Sequence, residues 1–188
     1  MCFCRYFLVV VIVLIAPLPV FGGQTARERE AELEAYFDEH CARYDVPKYL
    51  ALAIARQESG MQPWILNISG KDVRPSSGIA ALGVARAALS AGRSFDVGVM
   101  QVNVYWLKSY NIPLHIALEP RHNIQLGVWI LAGEIRKHGL NWKAVANYHT
   151  PLHRNPERGR NYAASVLRHL KRIMAERGAD KGGVLPCL

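Results

Sequence analysis

The chain has 188 residues, a formal net charge of +8 and 51% hydrophobic residues. This length is typical of about one domain and is sufficient to bury a core without disulfides or metals. The positive charge favours a polyanionic partner, unless these charges only form ordinary solvated helix faces. Because the chain carries no nucleic-acid recognition motif, we expect no nucleic-acid partner.

The N-terminus is predicted to be a cleaved secretory signal over residues 1–22. Arg5 supplies a positive start, and residues 7–20 are apolar apart from two prolines. An apolar run of about 15 residues is short for a membrane span, which needs ~20, and it suits a signal followed by a cleavage site. We therefore expect an exported mature domain over residues 23–188, with no stable membrane insertion. A retained N-terminal anchor is the alternative.

Two cysteines remain in the predicted mature chain, because Cys2 and Cys4 are removed with the signal. In an oxidising compartment Cys41 and Cys187 are disulfide candidates, and a bond between them would tie the C-terminal tail to the first helix. The alternative is that Cys41 is a small buried apolar residue and Cys187 a free thiol in the tail.

The mature chain begins with two predicted helices. A T-x-x-E capping box at residues 25–28 begins the first helix, which runs to about Tyr44. Pro47 begins the second helix, which ends at Glu58 just before Gly60. Proline in the first turn and glycine just past the end are the usual boundaries of a helix.

The next part of the chain has some strand character. Residues 64–68, W-I-L-N-I, predict a strand, and residues 69–72 can turn it into a small hairpin. Ser77 can cap a helix over about residues 79–91. Residues 94–99 are predicted to form a loop.

The remaining chain predicts four helices. A short helix around residues 105–110 is followed by a longer one over residues 120–139, which begins with a proline. An asparagine caps the third helix, over residues 141–148, and the last begins at Asn155-Pro156. The predicted fold class is therefore mainly α (α+β), as one domain with a small β-hairpin.

Glu58 lies at an unfavourable place for a negative charge. The preceding residues 49–55 are apolar, so the end of this helix is predicted to be largely buried. The C-terminal end of the helix dipole repels an anion, and apolar surroundings remove its hydration. Both effects raise the pKa of Glu58. A carboxylic acid that stays protonated near neutral pH is suited to act as a general acid.

The sequence shows none of the motifs that other kinds of catalytic or binding site require. The seven histidines show no H-E-x-x-H spacing, and there is no Gly-rich phosphate loop and no G-x-S-x-G elbow. We therefore expect no metal and no cofactor. Glu58 alone is weak support for an enzyme, because a glutamate at a helix end is usually an ion-pair partner.

Four short motifs in a fixed order change that interpretation. E-S-G at residues 58–60 is followed by G-V-M-Q at 98–101, A-N-Y-H at 146–149 and Tyr162. This set resembles the soluble lytic transglycosylase family, which shows E-S-G, G-L-M-Q, A-Y-N and a C-terminal tyrosine on a lysozyme-like fold. The resemblance covers about residues 45–170.

The resemblance implies a role for each matching residue. Glu58 falls on the sole catalytic acid/base of the family. Ser59 falls on a serine that helps to orient the sugar, and two tyrosines fall on residues that surround the glutamate and can hydrogen-bond it. The implied substrate-binding residues are Ser59, Met100, Gln101, Asn103, Tyr148 and Tyr162. As alternatives, Gln101 is a loop-stabilising amide and the two tyrosines are core aromatics.

The family cleaves the β-1,4 bond between N-acetylmuramic acid and N-acetylglucosamine in peptidoglycan and leaves a 1,6-anhydro end. Hydrolysis of a glycoside usually needs two carboxylates. One glutamate suffices if the 6-hydroxyl of the sugar attacks, because the intramolecular reaction has a high effective concentration. The resemblance thus implies a cell-wall lyase in the periplasm of a Gram-negative bacterium, where the basic surface suits the carboxylates of stem peptides.

The chain also departs from the family pattern. His149 stands where the family usually has asparagine, and it is either a surface or capping residue or a proton carrier. The extra length between residues 60 and 98 is similar to insertions in members that accompany pilus, conjugation or secretion machines. One rival hypothesis is a lysozyme-type hydrolase that uses Asp96 or Asp72 to position water. Another is a non-catalytic wall-binding component of an envelope-spanning apparatus.

Overall fold

The structure is a computed structural model that describes residues 26–178. The predicted signal over residues 1–22 and Cys187 lie outside the described residues. Cys41 is buried in the core, with 4% of its surface exposed, and its disulfide with Cys187 stays a prediction. Across residues 26–178, no helix combines the length and the apolar composition that crossing a membrane requires.

Helices dominate the described part of the chain, which confirms the mainly α prediction. The helices are α1 (Ala26–Tyr44), α2 (Lys48–Glu58), α3 (Gly78–Ser90), α4 (Val104–Ser109), α5 (Leu114–Leu118), α6 (Pro120–His138), α7 (Trp142–His149) and α8 (Pro156–Glu176). The strands are β1 (Leu66–Ile68), β2 (Lys71–Val73), β3 (Phe95–Val97) and β4 (Val102–Asn103). Of the helices, only the five-residue α5 has no counterpart in the sequence prediction.

Side-chain caps fix several helix starts where the sequence predicted them. Ser77 accepts a hydrogen bond from the backbone of Ala80 at the start of α3. Asn141 and Asn155 do the same for α7 and α8. Each cap satisfies a backbone N–H that has no partner inside the helix, so the boundary is specified locally.

The four strands form one antiparallel sheet in the order β2-β1-β3-β4. The predicted hairpin is present as β1 and β2, but the loop predicted over residues 94–99 is wrong. Phe95–Val97 is an inner strand, with Asp96 opposite Asn67 on β1 and opposite Asn103 on β4. Three residues with a charged one in the middle give too little alternation to indicate a strand, and the pairing that stabilises it is non-local.

Helix α2 lies in the middle of the core. Its residues Leu50–Ala55 are all buried, and the helix packs against α8 and α1. Small alanines alternate with larger Leu and Ile side chains, which allows neighbouring helices to approach closely. The C-terminal end of α2 emerges from this core, so its last residue, Glu58, lies where buried surface meets an open cleft.

Candidate active site

An open cleft of about 1710 Å³ contains Glu58. Its sheet side is formed by polar residues of the four strands β1, β2, β3 and β4, and its helical side by residues of α6, α7 and α8. The predicted site residues that line it are Glu58, Gln101, Asn103, Tyr148 and Tyr162, together with His149 and Asp96. Ser59 and Met100 are not among the lining residues. The motifs therefore converge on one cleft, although not every side chain faces it.

Glu58 is the last residue of α2, and 9% of its side chain is exposed. Burial raises the pKa of Glu58 to about 8. The hydrogen bond from Tyr162 lowers it, the negative charge of Asp96 raises it, and Arg158 lowers it. At neutral pH the carboxyl is therefore mostly protonated, which is the state that a general acid requires.

Tyr162 and His149 both approach the same oxygen of Glu58. The Tyr162 hydroxyl donates a hydrogen bond of 2.6 Å to Oε1, and Nδ1 of His149 lies 3.8 Å from Oε1. The two rings stack with centroids 4.6 Å apart and an interplanar angle of 9°. No residue within 26–178 hydrogen-bonds Oε2, so Oε2 is the oxygen that can carry the acid proton.

Tyr148 lines the cleft but does not hydrogen-bond Glu58, contrary to the expectation from the resemblance. Its hydroxyl donates to the backbone carbonyl of Met100 at 2.8 Å. Burial raises the pKa of this phenol well above its ordinary value, and the charge of Glu58 adds to the shift. Tyr148 therefore ties α7 to the loop over residues 98–101.

Ser59 and Met100 face the protein interior, and their side chains hold a loop in place and do not line the cleft. Ser59 is 5% exposed, and its hydroxyl donates to the backbone carbonyl of Val99 at 2.8 Å. Met100 is fully buried and packs against Gly127, where an added Cβ would lie 2.3 Å from the Met100 Cβ. The serine thus joins the end of α2 to the loop, and the methionine anchors that loop on α6.

The amides of Gln101 and Asn103 line the cleft while they bond to the protein. Nε2 of Gln101 donates to the carbonyls of Ile65 at 3.1 Å and Gly98 at 2.9 Å. Nδ2 of Asn103 donates to Oδ1 of Asp96 at 2.7 Å, and its Oδ1 caps α4. The hydrogen bonds of Gln101 therefore favour the loop-stabilising alternative, and contact with a ligand is left to the acceptor oxygen of this amide.

Asn123 is a site-building residue that the sequence analysis missed. It is fully buried on α6; its Oδ1 accepts from the Met100 N–H at 2.8 Å, and its Nδ2 donates to the carbonyls of Val97 and Ala117. Gly98 has a φ of +79°, and a Cβ there would lie 2.5 Å from the Asn123 amide. The sequence signal that could have identified Asn123 is its spacing of four residues from Gly127, which places its amide on the buried face of a helix.

Two other carboxyls line the cleft on its sheet side. Asp96 points into it from β3, and burial raises its pKa, while the Asn103 amide and Arg158 lower it. Asp72 lies on β2 with about half of its side chain exposed, and it bonds to Asn67 and Arg74. Asp96 is thus a strand residue near the glutamate and not the turn residue that its sequence context suggested. Among residues 26–178 there is no cluster of His, Cys, Asp and Glu that could hold a metal.

Comparison with known proteins agrees with this geometry. Residues 35–170 match the family described as the Transglycosylase SLT domain. The chain belongs to this family. The match confirms the resemblance that the ordered motifs indicated, and it includes Glu58 and Tyr162.

The chain is also similar to curated relatives in three Brucella species. It is 34% identical over 95 residues to the "Type IV secretion system protein virB1" of Brucella abortus biovar 1, Brucella melitensis biotype 1 and Brucella suis biovar 1. The alignment covers 50% of this chain and 40% of each relative, so the chain spans less than half the length of these proteins. No solved structure matches the chain.

Proposed function

We propose that this member of the SLT family is a peptidoglycan lytic transglycosylase with Glu58 as its only general acid/base. It cleaves the β-1,4 bond between N-acetylmuramic acid and N-acetylglucosamine and leaves a 1,6-anhydromuramic acid end. One observation carries the proposal: a carboxyl in an open cleft, buried at a helix end, has its pKa raised to about 8. A surface ion-pair partner would have its pKa lowered.

The reaction follows from the atoms around Glu58. The proton on Oε2 passes to the glycosidic oxygen, and the bond from C1 of muramic acid to that oxygen breaks. The resulting carboxylate is stabilised by the hydrogen bond from Tyr162. It then takes the proton from the sugar's 6-hydroxyl as O6 attacks C1. The new C1–O6 bond closes the anhydro ring, and the proton is back on the glutamate without the use of water.

A lysozyme-type hydrolase is the second candidate, and Asp96 is the observation that favours it. Asp96 lines the same cleft, and its charge acts on Glu58. In a hydrolase a second carboxylate positions or activates a water molecule. Asp96 is instead bonded by the Asn103 amide at 2.7 Å. Nothing in the one-carboxyl reaction requires it, so the two candidates differ in whether Asp96 is essential.

The setting of the enzyme is part of the proposal. We infer export to the periplasm after removal of residues 1–22, followed by action of the domain over residues 23–188 on the cell wall. The similarity to proteins named as type IV secretion components supports a role in opening peptidoglycan for an envelope-spanning apparatus. Gln101, Asn103 and Tyr148 are proposed to contact the glycan from the walls of the cleft.

The test is the variant Glu58→Gln, assayed by release of soluble muropeptides from purified sacculi. The amide is nearly the same size but cannot deliver and recover a proton, so we expect a rate loss of at least ~10²–10⁴-fold. Glu134→Gln is the matched control, because Glu134 lines the same cleft and is paired with Lys137. It should stay active. Release by Glu58→Gln within tenfold of the wild type would end the proposal, and sacculus binding without release by the wild type would support a non-catalytic component.

A further inference from the structure

The helical side of the cleft carries cations that have no acidic partner within residues 26–178. Lys143, Arg154 and Arg158, which together we name the basic wall, are exposed and line the cleft. None of them forms an ion pair with another residue between 26 and 178. A fourth cation of the cleft, Lys137, is excluded because Glu134 neutralises it at 2.7 Å.

The basic wall extends to the surroundings of Glu58, and the residues that line the sheet side of the cleft include no comparable group of cations. The charge of Arg158 lowers the pKa of both Glu58 and Asp96, so this guanidinium acts within the catalytic part of the cleft. The sheet side instead presents neutral polar residues and the carboxyls of Asp72 and Asp96. A ligand that suits both sides has anionic groups on one flank only, next to the bond that is cleaved.

We propose that the basic wall binds the carboxylates of the stem peptide attached to the muramic acid at the cleavage site. The inference rests on the proposed function, because it assigns one flank of the same substrate. A glycan strand is neutral along its sugars, and its peptides supply the anionic groups at every muramic acid. The enzyme therefore prefers peptide-bearing strands to bare strands.

Three substrates test the proposal: strands with intact stem peptides, the same strands with the peptide carboxylates amidated, and strands stripped by an amidase, with the lactyl carboxylates that the amidase leaves on muramic acid then amidated. We expect kcat/KM to be highest on the first substrate and to fall on both others. Each exposed charge pair is worth about two- to fivefold, so the preference should be roughly tenfold and should shrink as salt is raised.

The double variant Lys143→Gln/Arg154→Gln should lower the preference ratio to the about two- to fivefold that Arg158 alone supplies. The matched control is Lys171→Gln/Arg172→Gln, which removes the same charge from exposed positions that do not line the cleft. It should keep the wild-type ratio. Equal kcat/KM on all three substrates, or the same ratio in both double variants, would overturn the inference. Failure to cleave any strand would instead overturn the proposed function.

A second inference comes from the ring stack at the glutamate. His149 lies with its ring parallel to that of Tyr162, at 4.6 Å, and the Tyr162 hydroxyl is the hydrogen-bond donor to Glu58. Burial lowers the pKa of His149, and Arg158 lowers it further, so the imidazole is neutral at neutral pH. The structure assigns His149 as a positioning residue that acts through Tyr162: the flat ring fixes the phenol against Oε1.

The test compares His149→Phe, which keeps a flat ring, with His149→Asn, which supplies the residue that the family usually has. NMR titration of labelled glutamate reports the pKa of Glu58 independently of activity. We expect a higher pKa in His149→Asn, as in Tyr162→Phe, and little change in His149→Phe. In the Tyr162→Phe background His149→Asn should add no further shift. Additive shifts, or equal shifts in the Asn and Phe variants, would show that the imidazole acts on Glu58 directly and would overturn the assignment.

Discussion

The Tyr162 hydroxyl donates a hydrogen bond of 2.6 Å to Oε1 of Glu58, across 104 positions of the chain. The bond joins α8 to the end of α2 and opposes the effect of burial on the glutamate. Burial favours the neutral acid, whereas the phenol favours the carboxylate. The resulting pKa of about 8 leaves a proton available at neutral pH while the carboxylate stays accessible as an intermediate.

Replacing Tyr162 should therefore change the pH dependence of the reaction. Because Glu58 must be protonated to start the reaction, the rate falls as pH rises through its pKa. Tyr162→Phe removes the bond that lowers this pKa, so the alkaline limb of kcat/KM should move to higher pH. The matched variant Tyr148→Phe should leave the limb in place, since that hydroxyl bonds to the Met100 carbonyl. Equal shifts of the alkaline limb in Tyr162→Phe and Tyr148→Phe would contradict the role assigned to the Tyr162 hydrogen bond.

Asp96→Asn should shift the alkaline limb of the pH profile to lower pH, opposite to the effect of Tyr162→Phe. The negative charge of Asp96 raises the pKa of Glu58, so its removal moves the alkaline limb to lower pH. Below that limb, kcat should stay within about tenfold of the wild type. Loss of a catalytic acid or base would lower kcat by ~10²–10⁴-fold, and the one-carboxyl reaction gives Asp96 no such role. Asp72→Asn, on the exposed strand β2, should be active as well. A folded Asp96→Asn variant as inactive as Glu58→Gln would establish the two-carboxylate hydrolase.

The sequence predicted the helices well because their boundaries are local. Ser77, Asn141 and Pro156 start helices by capping or by a preset backbone angle, and neither depends on distant residues. Strands β3 and β4 were missed because each has at most three residues, and their hydrogen bonds come from partners elsewhere in the chain. Strand pairing of this kind is not encoded in a short window of sequence.

The motifs located the site, but they did not fix the direction of each side chain. E-S-G and G-V-M-Q place Ser59 and Met100 next to the cleft, yet both side chains turn inward to hold the loop over residues 98–101. Whether a polar group meets a ligand or a backbone carbonyl depends on tertiary packing. Asn123 shows the same limit, because its three partners lie on three separate segments.

Gly127→Ala should destabilise the protein by about 1–3 kcal/mol, the usual cost of overpacking a core. The added Cβ would lie 2.3 Å from the Met100 Cβ, so the loop over residues 98–101 must shift. Chemical denaturation measures the change in the free energy of unfolding. The control is Gly133→Ala on the same helix, where the nearest atom lies 3.8 Å away. That variant should be neutral or more stable, because alanine favours a helix.

His40→Leu should stabilise the protein. His40 is 1% exposed, and neither of its ring nitrogens has a hydrogen-bond partner in the described structure. An unsatisfied buried polar group costs about 1–3 kcal/mol, so we expect a gain of about 1 kcal/mol or more in the free energy of unfolding.

The stability gained by His40→Leu should also depend on pH. Burial lowers the pKa of His40 below its usual 6.5, so below pH 6.5 the unfolded chain binds a proton that the folded protein does not. Wild-type stability is then lost as pH falls from 6.5 toward the folded pKa. The stability difference between His40→Leu and wild type should therefore widen over that interval. A difference that stays constant or narrows would show that His40 is not held neutral.

The central claim is that one glutamate and the sugar's own hydroxyl cleave the glycan without water. The most direct measurement is mass spectrometry of muropeptides released from purified sacculi in isotopically heavy water. The account predicts 1,6-anhydromuramic acid ends, lighter by one water than reducing ends and free of the heavy isotope. Reducing ends that carry oxygen from the labelled water would contradict it and would assign the cleft to a hydrolase.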